Sequence, residues 1–398
     1  MHRYHSLALP MIRCTAFLFA ILTMRAEAVE AQPYTVTFVI DLRPTVAAGR
    51  FDPVTASMGI RGAHPPLSWG VSILAEDADR DTVYRATVVF PTRPFGNQPV
   101  SYKFKVEGKG NPNDGWETGR NRTFSFSSAQ LTVARAFGEE TPPPPPSLTG
   151  TIRRHEAFPS AFVIPRDVFV YLPPGYEQDT AKRYPVLYMQ DGQNLFDGSS
   201  AGTEWQMDET AERLIRAGNL PPVMIVGIAN TRQRMVEYTP PGKSNADTTG
   251  DSYARFLIEE LKPFIDRTYR TRPDAASTGI GGSSLGGLIA LYIGLYHPDV
   301  TGHILALSPS AWWADEQIIA MVRALDRKPA VRLYTDIGTG EGTRMLDITR
   351  RLHDALHEKG WADGVDLVYF EAPDALHTET AWAARVEQAL RAMLTALP

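Results

Sequence analysis

A serine flanked by glycines is the feature of this sequence that most directly suggests chemistry. It is Ser284, in the run Gly281-Gly-Ser-Ser-Leu-Gly-Gly287, which fits the pattern G-x-S-x-G. Small residues precede the run at 275–280, and an apolar segment of helical length follows at 288–296. Glycines two residues on either side of a serine allow a sharp turn between strand and helix without Cβ clashes. Such a turn exposes the hydroxyl as a nucleophile for acyl transfer.

A serine nucleophile needs a base, and His377 is the histidine that we predict for this role. It follows the last predicted strand, near the C-terminus, which suits the chain order of serine, then acid, then histidine. The other downstream histidines are His297 and His303, at the ends of a predicted helix and strand, and His353 and His357, which share a helix face and are expected to be solvated.

Two carboxylates are candidates for the acid that orients the base. Both lie in the stretch 335–341, after the penultimate predicted strand. Glu341 is preferred because it lies within the loop, and Asp336, at the end of the strand, remains the alternative. Asp347 is a third candidate, but the sequence places it in a helix.

An acyl-transfer site also needs two N–H donors for the developing oxyanion. We expect one from the backbone of Leu285, directly after the nucleophile, and the other from Gln193, in the loop 190–194 after an earlier strand. The histidines are scattered and lack the spacing of metal ligands, so the sequence predicts no metal site.

The same glycines allow a second interpretation, a dinucleotide-binding loop. The segment Gly279-Ile-Gly281 begins like G-x-G-x-x-G, but Ser284 takes the place of the last glycine. The segment also lies late in its domain, whereas such loops usually open one. We therefore favour the nucleophile and expect no cofactor.

The elements that must position these residues change in character along the chain. Residues 32–137 contain short alternating strands such as 34–40, 84–90 and 100–106, which predict a small all-β sandwich. Residues 138–150 include five successive prolines and predict a stiff linker. In residues 151–398 apolar strands alternate with amphipathic helices such as 252–269, which predicts an α/β fold with a mostly parallel sheet.

The N-terminus has the composition of an export signal. Basic residues precede an apolar run at 14–24, and small residues follow it, so we expect residues 1–31 to be a signal peptide. The only cysteine, Cys14, lies inside it, so the mature protein would contain no thiol. The formal net charge of −5 gives no indication of nucleic-acid or membrane binding. The expected location is periplasmic or secreted.

Several motifs of residues 150–398 resemble one known family. They are the segments 170–176, 184–196, 234–240, 281–287 and 307–313, in that order. Together they are similar to α/β-hydrolases of the esterase family that contains feruloyl and acetylxylan esterases, enterobactin esterases, S-formylglutathione hydrolase and mycolyltransferases. This resemblance implies catalytic roles for Ser284 and His377, and it likens the loop ending in Glu341 to the family's carboxylate-bearing loop.

The front region resembles the end of starch-binding carbohydrate modules. The resemblance is carried by residues 102–104, 116–122 and the segment Pro66-Leu-Ser-Trp69. It implies glycan binding by Trp69, Lys103 and Trp116, since sugar rings pack on aromatic faces. The alternative is a spacer of related fold.

The expected function is hydrolysis of an acyl ester, such as feruloyl or acetyl, on a glycan. The alternatives are a periplasmic esterase for a siderophore trilactone of the enterobactin type, and a carbohydrate-binding protein whose hydrolase domain is a non-catalytic scaffold. Trp205 and Trp312 are candidate walls of the substrate pocket, although aromatics at such places are often core. Arg234 would contact a polar substrate group or else pair with Glu237.

Overall fold

The structure is a computed structural model of the chain. It describes residues 33–52, 54–91, 99–108, 111–118, 121–139, 147–197, 203–242 and 248–394. The expected signal peptide and the five prolines of the expected linker lie outside these ranges. Within them, no helix combines the length and the apolar character needed to cross a membrane.

The front region, residues 33–139, folds as two small antiparallel-rich sheets packed face to face. One sheet has the order β4-β1-β7 and the other β3-β2-β5-β6. Alternate residues of β1, among them Val36, Phe38 and Ile40, are fully buried between the sheets, which confirms the predicted sandwich. The strands are β1 (Tyr34–Asp41), β2 (Ser57–Gly62), β3 (Ile73–Ala75), β4 (Val83–Phe90), β5 (Val100–Glu107), β6 (Arg122–Phe124) and β7 (Gln130–Ala136), with helix α1 (Arg43–Ala47) and a 3₁₀ turn (Pro112–Gly115).

The main region, residues 147–394, is built on one eight-stranded sheet of order β15-β14-β13-β12-β10-β11-β9-β8. Strands β10 to β15 are mutually parallel, and β8 and β9 add an antiparallel edge. The predicted mostly parallel sheet is therefore confirmed. The strands are β8 (Thr151–Phe158), β9 (Arg166–Leu172), β10 (Val186–Gln190), β11 (Met224–Ile228), β12 (Thr278–Ser283), β13 (His303–Leu307), β14 (Arg332–Gly338) and β15 (Leu367–Ala372).

Helices cover both faces of this sheet. They are α2 (Met207–Arg216), α3 (Arg234–Glu237), α4 (Gly250–Arg255), α5 (Lys262–Thr268), α6 (Leu285–Tyr296), α7 (Trp313–Ala324), α8 (Thr343–Lys359), α9 (Glu379–Ala383) and α10 (Val386–Leu394). A π-helical turn, Phe256–Leu261, joins α4 to α5. Pro263 is the second residue of α5, directly after the π-helical turn.

The buried strands send alternate side chains into two hydrophobic cores, one on each face. Tyr188 and Val226 belong to one core, whereas Leu187 and Ile225 belong to the other. Because the parallel strands are covered on both faces, their carboxyl ends are where functional groups can reach solvent. The segments that follow β12, β13, β14 and β15 therefore meet at one edge of the sheet.

Candidate active site

Ser284 occupies a strained turn between β12 and α6. Its backbone has φ 56° and ψ −122°, a conformation that L-residues adopt rarely. The flanking glycines are required by close packing: a Cβ added to Gly282 would lie 2.8 Å from the carbonyl carbon of Gly286, and one added to Gly286 would lie 2.9 Å from Gln190 Cβ. The G-x-S-x-G pattern thus forms the sharp turn that the sequence predicted.

The Ser284 hydroxyl faces a small polar pocket at the sheet edge. Its Oγ lies 3.2 Å from Ser310 Oγ, in the loop after β13, and the Ser310 N–H donates to the Ser284 carbonyl at 2.9 Å. Ser284 and His377 both line this pocket, which has a volume of about 380 Å³. We call it the serine pocket.

His377 is held by Glu341. The distance from His377 Nδ1 to Glu341 Oε2 is 2.6 Å, so Nδ1–H donates to the carboxylate and Nε2 is left to face a substrate or nucleophile. The His377 ring also packs edge to face on Trp382, with centroids 4.9 Å apart. These two contacts fix the plane of the imidazole.

The Glu341 carboxylate is buried and well hydrogen-bonded, with its side chain only 2% exposed. Its second oxygen accepts from Ser308 Oγ at 2.6 Å and from the Gly338 N–H at 2.9 Å. Burial alone raises the pKa of Glu341, but the bonds from His377, Ser308 and Gly338 outweigh it, and the pKa lies below its ordinary value. The carboxylate is therefore ionised and can stabilise a protonated His377.

Asp336, the alternative acid, belongs to a different network. It is completely buried, and its oxygens accept from Arg385 Nε and Tyr334 OH, each at 2.8 Å, and from the Ser308 N–H at 2.9 Å. Its partner is thus Arg385 and not His377. The third candidate, Asp347, lies on α8 with its side chain half exposed, 3.7 Å from Arg350.

Of the two expected oxyanion donors, Leu285 directly follows Ser284 in the chain, and Gln193 lines the same pocket from a different loop. Leu285 is the first residue of α6, where a backbone N–H has no partner within the helix. Gln193 lies in a 3₁₀ turn, Gly192–Asn194, and lines the serine pocket, while its side-chain oxygen accepts from the Asn230 N–H at 3.0 Å.

A set of charged groups forms one wall of the serine pocket. Arg234 donates twice to Asp191, from Nε and from the terminal nitrogen, both at 2.7 Å. The alternative that Arg234 pairs with Glu237 is not what the structure shows, since Glu237 is buried against Arg166 at 2.7 Å. Glu379, the first residue of α9, also lines the pocket, and burial raises its pKa.

The predicted tryptophans differ in position. Trp205 is 1% exposed and lines the serine pocket, where its ring lies 5.6 Å from that of Trp382. Trp312 is 38% exposed and packs on Trp313 at 6.0 Å, and it is not among the described residues that line the pocket. Trp205 therefore lies at the serine pocket and Trp312 lies elsewhere, and a substrate-contacting role for Trp205 stays a prediction.

Most of the main region matches a known protein family. A family model described as "Putative esterase" matches residues 161–393, more than half of the chain. The chain belongs to this esterase family. Its elbow, histidine and carboxylate all fall within the matched residues.

Individual relatives of the esterase include proteins with two kinds of named activity. It is 29% identical over 231 residues to the uncharacterized protein YbbA of Bacillus subtilis, covering 54% of this chain and 85% of that one. It is 30% identical over 157 residues to an endo-1,4-beta-xylanase/feruloyl esterase of Xylanibacter ruminicola, covering 37% and 20% of the two chains. It is 31% identical over 198 residues to the iron(III) enterobactin esterase of Dickeya dadantii, covering 43% of each.

A solved structure shares the fold over both regions. The enterochelin esterase of Shigella flexneri superposes with a TM-score of 0.61 at 16% identity, covering 85% of this chain and 87% of that one. This likeness shows an α/β-hydrolase fold preceded by an all-β region, and the family match shows that the protein is an ester hydrolase.

The three residues expected to bind glycan lie at the outer face of the sheet β3-β2-β5-β6, which we call the front face. Trp69 is 37% exposed, and its ring lies 6.1 Å from that of Trp116 at an angle of 51°. Lys103 lies on the same face of β5, paired in register with Arg61. The Trp116 ring is contacted by two cations that the sequence did not single out, Arg61 at 5.2 Å and Lys105 at 5.3 Å.

A larger cleft, of about 690 Å³, lies between the front and main regions of the esterase. Trp69, His64 and Asn121 line it from the front region, and His377 and Glu379 line it from the main region. Because His377 and Glu379 also line the serine pocket, the two cavities adjoin. We call the larger one the front cleft.

Several site residues were missed by the sequence analysis. Ser308 has φ 41° and bridges the two carboxylate networks, since its hydroxyl donates to Glu341 and accepts from Trp382 and Arg385. Glu379 could have been predicted from its position, because it lies only two residues after the proposed base His377. Asp191 could also have been predicted, because it directly follows the buried strand β10.

Proposed function

We propose that this esterase cleaves its substrate through an acyl-enzyme formed on Ser284. His377 Nε2 takes the proton of the Ser284 hydroxyl as Oγ attacks the ester carbonyl, and the imidazolium is stabilised by Glu341. The leaving alcohol takes the proton back, and His377 then activates a water that releases the acid. The observation that carries this proposal is the 2.6 Å bond between His377 and a buried carboxylate beside a serine in a strained turn.

The oxyanion of the tetrahedral intermediate is proposed to bind the N–H groups of Leu285 and Gln193. Each such donor contributes about a hundred- to thousandfold in rate. The Ser284 hydroxyl, which faces Ser310 at 3.2 Å, would rotate towards His377 when substrate binds. Catalytic hydrogen bonds commonly tighten only in the complex with substrate.

The proposed substrate is an acyl ester, feruloyl or acetyl, on a glycan. Two observations support a sugar component: the front cleft adjoins the serine pocket, and Trp69 lies both on that cleft and beside Trp116. A glycan bound along the front region would thus lead its acyl group to Ser284. The feruloyl esterase activity named for the Xylanibacter relative agrees with this substrate class.

A trilactone siderophore of the enterobactin type is the second candidate substrate. It is favoured by the named activity of the Dickeya relative and by Arg234, a cation in the wall of the serine pocket. Arg234 is, however, paired with the Asp191 carboxylate through two hydrogen bonds. The negative charge of Asp191 therefore offsets the attraction of Arg234 for an anionic catecholate.

The nucleophile is tested with p-nitrophenyl acetate and with a fluorophosphonate probe. Wild-type protein is expected to turn over the ester and to gain one probe mass on the peptide that contains Ser284, and Ser284→Ala is expected to do neither. Ser310→Ala, which removes the neighbouring hydroxyl, is the matched control and retains labelling. Turnover that survives Ser284→Ala would refute the serine mechanism, and no turnover by wild type would favour a carbohydrate-binding role.

The substrate class is tested with three substrates, namely feruloylated arabinoxylan oligosaccharides, acetylated xylan and iron-free enterobactin. Product masses identify the bond that is cleaved. A higher kcat/KM on either glycan ester than on enterobactin is the expected result. The reverse order would replace the glycan ester by the siderophore without affecting the mechanism.

Export to the periplasm or the medium is part of the same proposal, and it is motivated by residues 1–31. Expression of the full chain in a bacterial host is expected to give a mature protein that begins after residue 28 or 31, as measured by intact mass. A chain that keeps its N-terminus and stays in the cytoplasm would contradict export.

A further inference from the structure

Two histidines and an aspartate meet at the surface of the main region, away from the serine pocket. His353 and His357 lie one turn apart near the end of α8, and Asp363 lies in the loop that leads into β15. His353 Nε2 and His357 Nε2 are 3.0 Å apart, and they lie 3.1 Å and 3.0 Å from Asp363 Oδ2. The two histidines are partly exposed, as expected, but they also contact each other and a carboxylate.

The three atoms cannot all be satisfied by hydrogen bonds. If both Nε2 atoms carry hydrogens directed at Asp363, two donors face each other at 3.0 Å. If one Nε2 lacks its hydrogen, it accepts from the other ring but turns a lone pair towards the carboxylate. A cation between the three atoms would be attracted to every one of them.

We propose that His353, His357 and Asp363 bind a divalent transition-metal ion of the Zn²⁺ class. Two imidazoles and one carboxylate are ligands that Zn²⁺ and its neighbours accept, whereas Ca²⁺ and Mg²⁺ prefer sets made of oxygen alone. This proposal departs from the sequence prediction of no metal site, because His353 and His357 are spaced i, i+4, which places two rings on one face of a helix.

The distances fit such an ion. With the three atoms 3.0 to 3.1 Å apart, an ion about 2.1 Å from each lies about 1 Å outside their plane, with angles of about 91° to 95° between ligands. This leaves positions on the solvent side for water. The ligand atoms are accessible, since the side chains of His357 and Asp363 are 40% and 51% exposed.

The surrounding residues hold two of the ligands in place. The His353 ring stacks on Tyr369 of β15, with centroids 4.3 Å apart and an angle of 20° between the planes. Asp363 lies in a turn secured at both ends, where the Ala362 N–H donates to Asp366 at 2.9 Å and the Gly364 N–H donates to the Leu367 carbonyl at 3.0 Å. Little reorganisation would accompany binding.

The position of the cluster indicates a structural role. It lies about 15–20 Å along α8 from the Glu341 loop, because each helical residue adds about 1.5 Å. An ion here would join the end of α8 to the loop before β15, the edge strand whose far end leads to His377. Stability, and not ester hydrolysis, is therefore the property that the ion should change.

The test uses the untagged full-length protein, treated with a chelator and dialysed, and titrated with ZnCl₂ by calorimetry. One ion per chain is expected at this site, and His357→Gln and Asp363→Asn are each expected to weaken its binding about tenfold or more. His297→Gln, a histidine outside the cluster, is the control and keeps the affinity. A CoCl₂ titration should give visible d–d bands that both cluster variants lose.

Thermal unfolding separates metal binding from a simple hydrogen-bonded cluster. Zn²⁺ should raise the Tm of wild type and of His297→Gln, and it should do so much less for the two cluster variants. p-Nitrophenyl acetate turnover is followed throughout, because Zn²⁺ at His377 would inhibit it and Zn²⁺ at the cluster would not. Equal Zn²⁺ affinities in wild type and both cluster variants, or no saturable binding at all, would overturn the proposal.

Discussion

The serine pocket and the front face of the sheet β3-β2-β5-β6 are built from different kinds of structure. Ser284, Ser308 and Glu341 follow three adjacent parallel strands, and their positions are set by buried backbone. Lys103 lies on β5, Trp69 and Trp116 lie in the segments that follow β2 and the 3₁₀ turn, and long cationic side chains pack against Trp116.

The difference lies in how much each region depends on single side chains. In the serine pocket, Glu341 accepts three hydrogen bonds while only 2% exposed, so removing one partner leaves a buried group unsatisfied. On the front face, Trp69 is 37% exposed and its neighbours can rearrange. Single substitutions should therefore change kcat or stability strongly in the serine pocket, whereas single substitutions on the front face should each have a small effect.

The largest effect is expected for His377→Gln. Loss of the proposed base should lower kcat for p-nitrophenyl acetate by about 10⁴-fold or more, because every proton transfer passes through this ring. His297→Gln is the control and should stay within a few-fold of wild type. A loss below tenfold would show that the pocket is as tolerant as the front face.

The next effect distinguishes the two carboxylates that follow β14. Glu341→Gln should lower kcat about 10²- to 10⁴-fold, because His377 loses the charge that stabilises its protonated form. Asp336→Asn should instead lower the free energy of unfolding by about 3–5 kcal/mol, because it leaves Arg385 buried without its charge partner. Steady-state kinetics and urea unfolding of both variants measure the two losses. If Asp336→Asn lost activity while keeping its stability, Asp336 would be the acid.

A smaller effect concerns the pH dependence of stability. Because the folded-state pKa of Glu341 lies below its ordinary value of 4.5, its ionised form contributes stability that is present above that value. The contribution is lost as the pH falls through the lowered pKa. Urea midpoints of wild type and Glu341→Gln, measured from pH 7 to pH 3, should differ by a constant amount above about pH 5 and converge below it. Parallel curves down to pH 3 would contradict the lowered pKa.

Much of the main region was predictable because backbone requirements leave traces in the sequence. Gly282 and Gly286 mark the tight turn at Ser284, since a side chain at either would collide with neighbouring atoms. The buried strands appear as apolar runs, and their alternation with helices implies a parallel sheet. Once the strands are parallel, segments that follow them must meet at one edge, which brings His377 near Ser284.

The remaining features depend on partners far apart in the chain. The partner of Asp336 is Arg385, 49 residues away, and no local pattern links the two. Arg234 pairs with Asp191, 43 residues earlier, instead of with nearby Glu237. Arg61 and Lys105 reach Trp116 because β2 and β5 are adjacent. Such pairings follow from tertiary packing, which the sequence of one chain does not display.

The smallest effects are expected for substitutions on the front face. Trp69→Ala should raise KM about three- to tenfold for a feruloylated oligosaccharide and leave turnover of p-nitrophenyl acetate unchanged, because stacking of an aromatic ring contributes about 0.5–1.5 kcal/mol. Trp116→Ala should act less on KM, since Arg61 and Lys105 already occupy its surroundings. Affinity electrophoresis in xylan or starch gels, with both variants run beside wild type, measures binding independently of catalysis. Equal mobility of all three proteins and unchanged KM values would assign the front region to a spacer, and the substrate would then be recognised within the serine pocket alone.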